Sequence, residues 1–200
     1  REVLTHGFIV NEQKRKISKS AAKPQTADTY FNEYGADIIR LWLSSEDFRS
    51  DITLSDGILK QTVNTYRSVR NTFMYLLGNL ADFHPLENSV PYADMDALDR
   101  WALHQLESLR AQVSIDTDAY EFHRAVQRLE NFCTVTLSRV YHDILKDRLY
   151  TFAQNDPRRR SSQTAMHAIL HTLLRLFAPF LPATADEAYA HAMAGRSEEH

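Results

Sequence analysis

The chain has 200 residues, of which 44% are hydrophobic and 24% charged, a composition typical of a soluble globular protein. Its one cysteine, Cys133, excludes an internal disulfide and a multi-cysteine zinc site, and it fits a reducing compartment such as the cytoplasm. No apolar run approaches the roughly 20 residues that cross a bilayer, and no signal peptide is recognisable, so we predict no membrane segment.

The net charge of −3 conceals two basic segments on an acidic body. Residues 1–25 carry a net charge of +4 and residues 146–160 carry +3, which leaves −10 on the rest of the chain. Basic segments of this kind can meet phosphate groups at defined places. Short basic clusters are also typical of solvated loops, so charge alone leaves both interpretations open.

The first 54 residues combine several short elements. The apolar residues on either side of residues 5–7 predict a short strand over residues 3–10, and the polar stretch 11–23 predicts a loop. Two short helices separated by Gly35 are predicted next, over residues 28–34 and 36–44. An extended polar segment over residues 46–54 follows.

From Ser55, a plausible helix N-cap, apolar residues recur at helical spacing. Asp118 with Glu121 and Thr184 with Glu187 resemble capping pairs at the starts of later helices. The body over residues 55–195 is therefore predicted to be an antiparallel helix bundle with short connections, so the fold class is mainly α. The predicted helices cover residues 55–80, 96–114, 122–149, a fourth segment around 166–177, and 185–193.

One pentapeptide carries most of the chemical information: Lys16-Ile17-Ser18-Lys19-Ser20. It places two ammonium groups and two hydroxyls within five residues of a loop. Lysine is a flexible point charge suited to phosphate oxygens, and serine hydroxyls add hydrogen bonds. Such a loop can close over a triphosphate and stabilise the charge that develops on a leaving pyrophosphate.

This pentapeptide resembles the second signature motif of class I aminoacyl-tRNA synthetases, usually Lys-Met-Ser-Lys-Ser, with Ile17 in place of methionine. Residues 5–8 before it and 34–42 after it are similar to the isoleucyl branch of that family. The resemblance spans nearly the whole chain. Further similar segments lie at residues 69–73, 76–80, 98–103, 131–135, 146–150, 157–161 and 176–182.

The resemblance implies a division into three parts. Residues 1–25 would be the C-terminal remnant of an α/β catalytic domain with the signature loop. Residues 26–54 would form a connecting segment that contacts the tRNA stem, and residues 55–195 the helical anticodon-binding domain. The first signature motif of the class, of the His-x-Gly-His type, is absent, so we expect this piece alone to be inactive. A zinc module of many relatives would lie downstream.

The resemblance also implies an activity. The intact enzyme would use ATP with Mg²⁺ to activate isoleucine and pass it to its tRNA, as a cytoplasmic monomer, with no cofactor bound to this piece. Catalytic roles would fall to Lys16 and Lys19. The ATP phosphates would be bound by Lys16, Ser18, Lys19 and Ser20. One departure is the stretch Ala21-Ala22-Lys23-Pro24, where the family usually continues Leu-Gly-Asn, so a glycine hinge is lost.

The second basic segment supplies the candidate tRNA contacts. Arginines beside the free amides of a helix start suit RNA phosphates. We predict tRNA contact by Arg158, Arg159 and Arg160, and by Arg148, which can alternatively pair with a carboxylate inside the bundle. His167 and His171 are spaced like a metal-binding pair, but no third ligand is evident, so no metal site is predicted.

Two other interpretations stay open. A valyl relative within the same family would share the loop and the helices. A helical interaction module with no RNA role would share only the helices, and it would have no reason to carry the sequence of residues 16–20 beside a strand.

Overall fold

The structure, a computed structural model, describes residues 3–15 and 26–194. Helices make up most of it, and two short strands form the one sheet of this described part. The elements in chain order are β1 (Ile9–Val10), α1 (Ala27–Tyr34), α2 (Ala36–Ser45), β2 (Ile52–Thr53), α3 (Asp56–Asn79), α4 (Pro85–Asn88), a 3-10 turn (Tyr92–Asp94), α5 (Ala97–Asp118), α6 (Phe122–Asn131), a π-helical segment (Phe132–Tyr141), α7 (His142–Thr151), α8 (Pro157–Phe177) and α9 (Pro182–Ala194).

The two strands pair in parallel, with Ile9 opposite Ile52 and Val10 opposite Thr53. The strand predicted over residues 3–10 is therefore confirmed only at its last two residues. Parallel strands need a crossover between them, and here that connection carries α1 and α2. A small second core joins Ile39 and Trp42 of α2 to Ile52 of β2 and Leu59 of α3.

Gly7 allows the chain before β1 to lie against the backbone before β2. Its N–H donates to the carbonyl of Phe48 at 2.9 Å. A Cβ at this position would fall on the backbone of Ser50 and Asp51. Only glycine fits such a close backbone approach without displacing one of the two segments.

Local capping chemistry explains where the long helices begin. The side chains of Ser55, Asp96 and Asp156 each accept a hydrogen bond from a backbone N–H two or three residues further on. Each bond satisfies an N–H that has no partner within the helix. Pro157 at the first position of α8 adds a residue whose backbone angle already suits a helix start.

Both predicted capping pairs are wrong. Helix α5 continues through Asp118, and a turn containing Tyr120 in the left-handed region at φ 59° leads into α6. Helix α9 begins at Pro182, so Thr184 lies inside its first turn. In both places the helix is a few residues longer than predicted, so the predicted cap residue belongs to the helix and does not cap a helix start.

The third predicted helix is confirmed as one continuous rod over residues 122–151, made of α6, the π-helical segment and α7. Backbone angles at both junctions stay right-handed helical. No pattern in the sequence indicates the π-helical turns in the middle of this rod. Such turns are rare and occur frequently at functional sites.

The long helices pack around one main core, which confirms the predicted mainly α bundle. Leu137 and Leu145 of the rod and Met166, Ile169 and Leu173 of α8 are completely buried there. Helix α5 contacts both the rod and α8, and α3 lies against the π-helical segment, α8 and α9. In residues 3–15 and 26–194, no helix is both long and apolar enough to cross a membrane.

Candidate nucleic-acid interface

The signature loop begins just beyond the carboxyl end of β1. The side chain of Asn11 accepts hydrogen bonds from the N–H groups of Gln13 and Arg15 at 3.0 and 2.9 Å, and Lys14 adopts a left-handed φ of 60°. This tight turn follows directly on the carboxyl end of β1, and in open parallel sheets ligands bind at that edge. The predicted phosphate-binding residues themselves lie outside the described residues; they are Lys16, Ser18, Lys19 and Ser20.

Arg159 and Arg160 hold the start of α8 to the turn after α3. The guanidinium of Arg159 forms a two-pronged ion pair with Asp82, at 2.5 and 3.0 Å. Arg160 is only 7% exposed and donates to the carbonyl of Asp82 at 2.8 Å and to the side chain of Gln163 at 2.9 Å. Burial would raise the pKa of Asp82, but the hydrogen bonds from Arg159 and Gln163 outweigh it and leave that pKa lowered. Both guanidinium groups are thus engaged inside the protein.

Arg148 is also engaged, in a second polar cluster between α5, α7 and α8. It lies 3.1 Å from the carboxylate of Asp96 and 3.7 Å from that of Asp99. Asp99 is fully buried and accepts hydrogen bonds from the hydroxyls of Tyr141 at 2.7 Å and Ser161 at 2.6 Å. Burial nevertheless dominates and raises the pKa of Asp99. Arg148 therefore provides the nearby positive charge for a carboxylate that lies in the core.

Arg158 differs from the other three arginines. Its backbone N–H donates to the cap residue Asp156 at 2.8 Å, while its side chain is exposed and forms no ion pair within residues 3–15 and 26–194. Of the four predicted tRNA contacts, it is the one whose side chain is exposed and forms no ion pair or hydrogen bond in the described ranges; its charge acts on the Asp96 carboxylate only through a longer-range attraction. Sequence alone could not separate Arg158 from its neighbours because all three arginines are adjacent.

A second basic surface, which no motif marks, lies along α3. Lys60, Asn64, Arg67 and Asn71 follow one another at intervals of three or four residues and are all exposed. They therefore share one face of the helix. Residues 57–79 contain no Asp or Glu, so this helix is purely cationic after its first residue. Helical periodicity applied to charge, rather than to apolar residues alone, could have found this face.

The described histidine and cysteine side chains are not grouped as a metal centre. The rings of His167 and His171 lie with their centroids 4.4 Å apart, as their spacing on α8 implies. Across the described part of the chain, no group of three or more His, Cys, Asp or Glu side chains is placed to hold a metal ion. Cys133 is buried, and burial raises the pKa of its thiol to about 12. A thiol at that pKa stays protonated and unreactive near neutral pH.

Comparison with known protein families defines the class. Residues 99–199 match the family model described as the anticodon-binding domain of tRNA ligase. Residues 1–55 match the model described as class I tRNA synthetases (I, L, M and V). The chain therefore belongs to the anticodon-binding domain family of tRNA ligases. Within the chain, a piece of a class I synthetase domain precedes that domain.

Curated relatives of this chain are tRNA ligases named for one amino acid, isoleucine. The chain is 48% identical over 189 residues to the isoleucine–tRNA ligase of Symbiobacterium thermophilum, covering 94% of this chain and 20% of that protein. It is 47% identical over 198 residues to the isoleucine–tRNA ligase of Geobacter sulfurreducens, covering 99% and 21%. The predicted resemblance to the isoleucyl branch is confirmed. The chain spans about a fifth of the length of these relatives.

Solved structures with low sequence identity share the fold. A methionyl-tRNA synthetase of Mycobacterium tuberculosis bound by methionyl-adenylate superposes with a TM-score of 0.74 at 20% identity, over 92% of this chain and 36% of that one. The LeuRS of Agrobacterium radiobacter K84, in a ternary complex with tRNA and LeuAMS, gives a TM-score of 0.69 at 19% identity, over 94% and 22%. The fold of this chain is thus shared by synthetases for different amino acids.

Proposed function

We propose that this chain is part of an isoleucine–tRNA ligase, in which its helix bundle binds the anticodon stem of the tRNA. The observation that carries the proposal is identity of 47–48% to isoleucine–tRNA ligases over nearly the whole chain, including the bundle and the segment before it. The bundle also shares its fold with a synthetase that was solved with tRNA bound. Isoleucine, ATP and the isoleucine tRNA would be the substrates of the intact enzyme, acting in the cytoplasm as a monomer.

The loop over residues 16–20 would serve the activation step. There a carboxylate oxygen of isoleucine attacks the α-phosphorus of ATP, and the bond to the bridging oxygen breaks to release pyrophosphate. The ammonium of Lys19, assisted by Lys16, would stabilise the charge on that leaving group, and Ser18 and Ser20 would hydrogen-bond to the phosphates. Support comes from the position of the turn at Asn11, directly after the carboxyl end of β1, the edge at which ligands bind in open parallel sheets. Mg²⁺ would arrive with the nucleotide phosphates.

We keep the division into a catalytic remnant (1–25), a connecting segment (26–54) and an anticodon-binding bundle (55–195). Within the bundle, Arg158 is the predicted tRNA contact that the observed geometry favours, because its side chain is exposed and forms no ion pair or hydrogen bond in the described ranges. Arg148, Arg159 and Arg160 would contribute mainly by holding the elements around it in place.

Salt-dependent binding of tRNA tests the proposal. Fluorescence anisotropy would follow a labelled isoleucine tRNA transcript titrated with the 200-residue chain between about 50 and 200 mM salt. We expect affinity to fall steeply, because each phosphate contact releases a counterion. Affinity that is negligible at low salt would contradict tRNA binding. Competition by an unlabelled valine tRNA transcript that equals competition by the isoleucine transcript would favour the valyl alternative.

Pyrophosphate exchange tests the division of labour. We expect the 200-residue chain alone to give no isoleucine-dependent exchange of pyrophosphate into ATP, because its relatives are about five times longer and it lacks the first signature motif. A full-length isoleucine–tRNA ligase assayed in parallel is the positive control. Turnover by the chain alone would overturn this part of the proposal.

A further inference from the structure

An open polar groove lies between α3 and the π-helical segment. It has a volume of about 510 Å³. Among the side chains that the structure describes, no carboxylate lines it. Its polar lining includes Ser68 and Asn71 of α3, Thr134, Ser138 and Arg139 of the π-helical segment, and Lys146 of α7.

Several of these side chains have donors or acceptors with no hydrogen-bond partner among the described residues. Asn71, Ser138 and Arg139 are exposed and form no hydrogen bond or ion pair through their side chains within residues 3–15 and 26–194. Lys146 lies at the rim, paired with Asp143 at 2.6 Å. An exposed pair of this kind contributes little and exchanges readily for another anion. The groove thus offers amide, hydroxyl and cationic donors to a ligand with many oxygens.

A buried nitrogen without a partner lies in the wall of the groove. His142 is 6% exposed, and its Nε2 is buried without a hydrogen-bond partner. Its ring stacks on Tyr75, with centroids 4.2 Å apart. Burial of an unsatisfied nitrogen costs free energy, so it needs an explanation where it occurs. His142 follows directly on the π-helical segment, and π-helical turns occur frequently at functional sites, so this wall is a candidate binding surface.

The groove continues into the basic face of α3. Asn71 belongs to both, and Asn64, Arg67 and Lys60 extend from it along the helix for about 16 Å. Lys60 and Arg67 form no ion pair in the described part of the chain. Three carboxylates lie near this track: Glu33 in the hollow beside Lys60 and Arg67, Asp56 one helical turn before Lys60, and Glu130, which accepts a hydrogen bond from Thr65 at 3.1 Å. An extended cationic track suits a polyanion better than a compact small molecule.

We propose that this groove and the α3 track bind the sugar–phosphate backbone of tRNA, with Arg67 and Arg139 on phosphates and Asn71 and Ser138 on phosphate or ribose oxygens. Side chains of these types are the usual donors to phosphate and to the ribose 2′-hydroxyl. This assignment rests on the proposed tRNA binding and names the surface that performs it.

A charge-matched pair of double variants tests the assignment. Arg67→Gln with Arg139→Gln removes two cations from the surface, and Arg124→Gln with Arg175→Gln removes two exposed cations elsewhere. The first pair should weaken tRNA binding by about tenfold or more and reduce the slope of log affinity against log salt by about two. The second pair should change affinity by less than about threefold, because its charges act only through the screened field. Circular dichroism and thermal melting of each variant check that the fold is retained.

The outcomes distinguish tRNA binding by the chain from the assignment of that binding to this groove and to α3. No binding by the unchanged chain at low salt overturns the proposed function and this inference with it. Binding by the unchanged chain with equal losses in both double variants overturns the groove assignment but leaves tRNA binding intact. Ser138→Glu supplies a further measurement, since a carboxylate placed in the groove should repel RNA more strongly than Ser138→Gln. Equal affinity of those two variants would also overturn the assignment.

Discussion

The carboxylate of Asp37 on α2 caps helix α9, which lies almost 150 residues further along the chain. It accepts a hydrogen bond from the backbone N–H of Thr184 at 2.8 Å and another from the Thr184 hydroxyl at 2.7 Å. The same hydroxyl lies 3.1 Å from that of Tyr66 on α3. These hydrogen bonds join α2, which follows the signature loop in the chain, to α9 at the end of the bundle and to α3.

Replacing Asp37 with alanine should lower the free energy of unfolding by about 1 kcal/mol, because α9 loses the acceptor for its first N–H groups. Urea denaturation followed by circular dichroism would measure the loss. Asp37→Asn is the matched control, since its amide oxygen can still accept from Thr184, and it should retain most of the stability. Equal losses in the two variants would show that the negative charge, rather than the cap, is what matters.

Asp99→Ala should be much more damaging, with a loss of about 3 kcal/mol or more. The substitution leaves the buried hydroxyls of Tyr141 and Ser161 without their acceptor and Arg148 without one of its carboxylates. Thermal unfolding would measure it. Asp99→Asn keeps the shape and one acceptor oxygen, so we expect a smaller loss. A change below about 0.5 kcal/mol for alanine would contradict the role given to this cluster.

Stability should fall as the pH drops from about 6.5 to about 4, and His142 should cause part of that fall. Burial lowers the pKa of His142 from 6.5 to about 4. In this window the unfolded chain binds the proton more readily than the folded one, so unfolding becomes easier as the pH falls. The contribution is at most about 3 kcal/mol.

His142→Phe tests this contribution, because the ring can still stack on Tyr75 but does not titrate. The difference in unfolding free energy between the two proteins should change with pH between about 6.5 and 4 and stay constant above that range. Urea titrations at several pH values would give it. A constant difference across the whole range would refute the lowered pKa of His142.

The free energy of unfolding should fall in Asp82→Ala, which removes the carboxylate partner of Arg159 and Arg160, and should change little in Arg158→Ala. Arg159 and Gln163 donate hydrogen bonds to the carboxylate of Asp82, and Arg160 lies 3.5 Å from it, so its loss should cost about 2 kcal/mol or more. The hydrogen bond from Arg160 to the backbone carbonyl of residue 82 is kept in this variant. Arg158→Ala, in contrast, removes no internal contact of the side chain and should stay within about 0.5 kcal/mol of the unchanged chain. Thermal melting of both variants gives the comparison. A large loss in Arg158→Ala would mean that its side chain supports the fold after all.

Much of the architecture could be predicted because it depends on neighbours in sequence. Helix periodicity, the Ser55 cap and the break at Gly35 are local features, and each is confirmed. The two capping pairs misled because the same residue types occur inside helices as well. The π-helical turns escaped prediction because each of their hydrogen bonds spans only one residue more than in an α-helix, a difference that the spacing of apolar residues does not reveal.

The sequence by itself determined the class of protein and the helical bundle, since the signature pentapeptide and the apolar stripes are patterns along the chain. Only the tertiary structure decided which cations are available to a nucleic acid. Arg158, Arg159 and Arg160 cannot be distinguished in the sequence. In the folded protein, Arg159 and Arg160 donate hydrogen bonds to Asp82, whereas Arg158 is exposed to solvent. Partners for a charge come from distant segments of the chain, and folding alone brings those segments together.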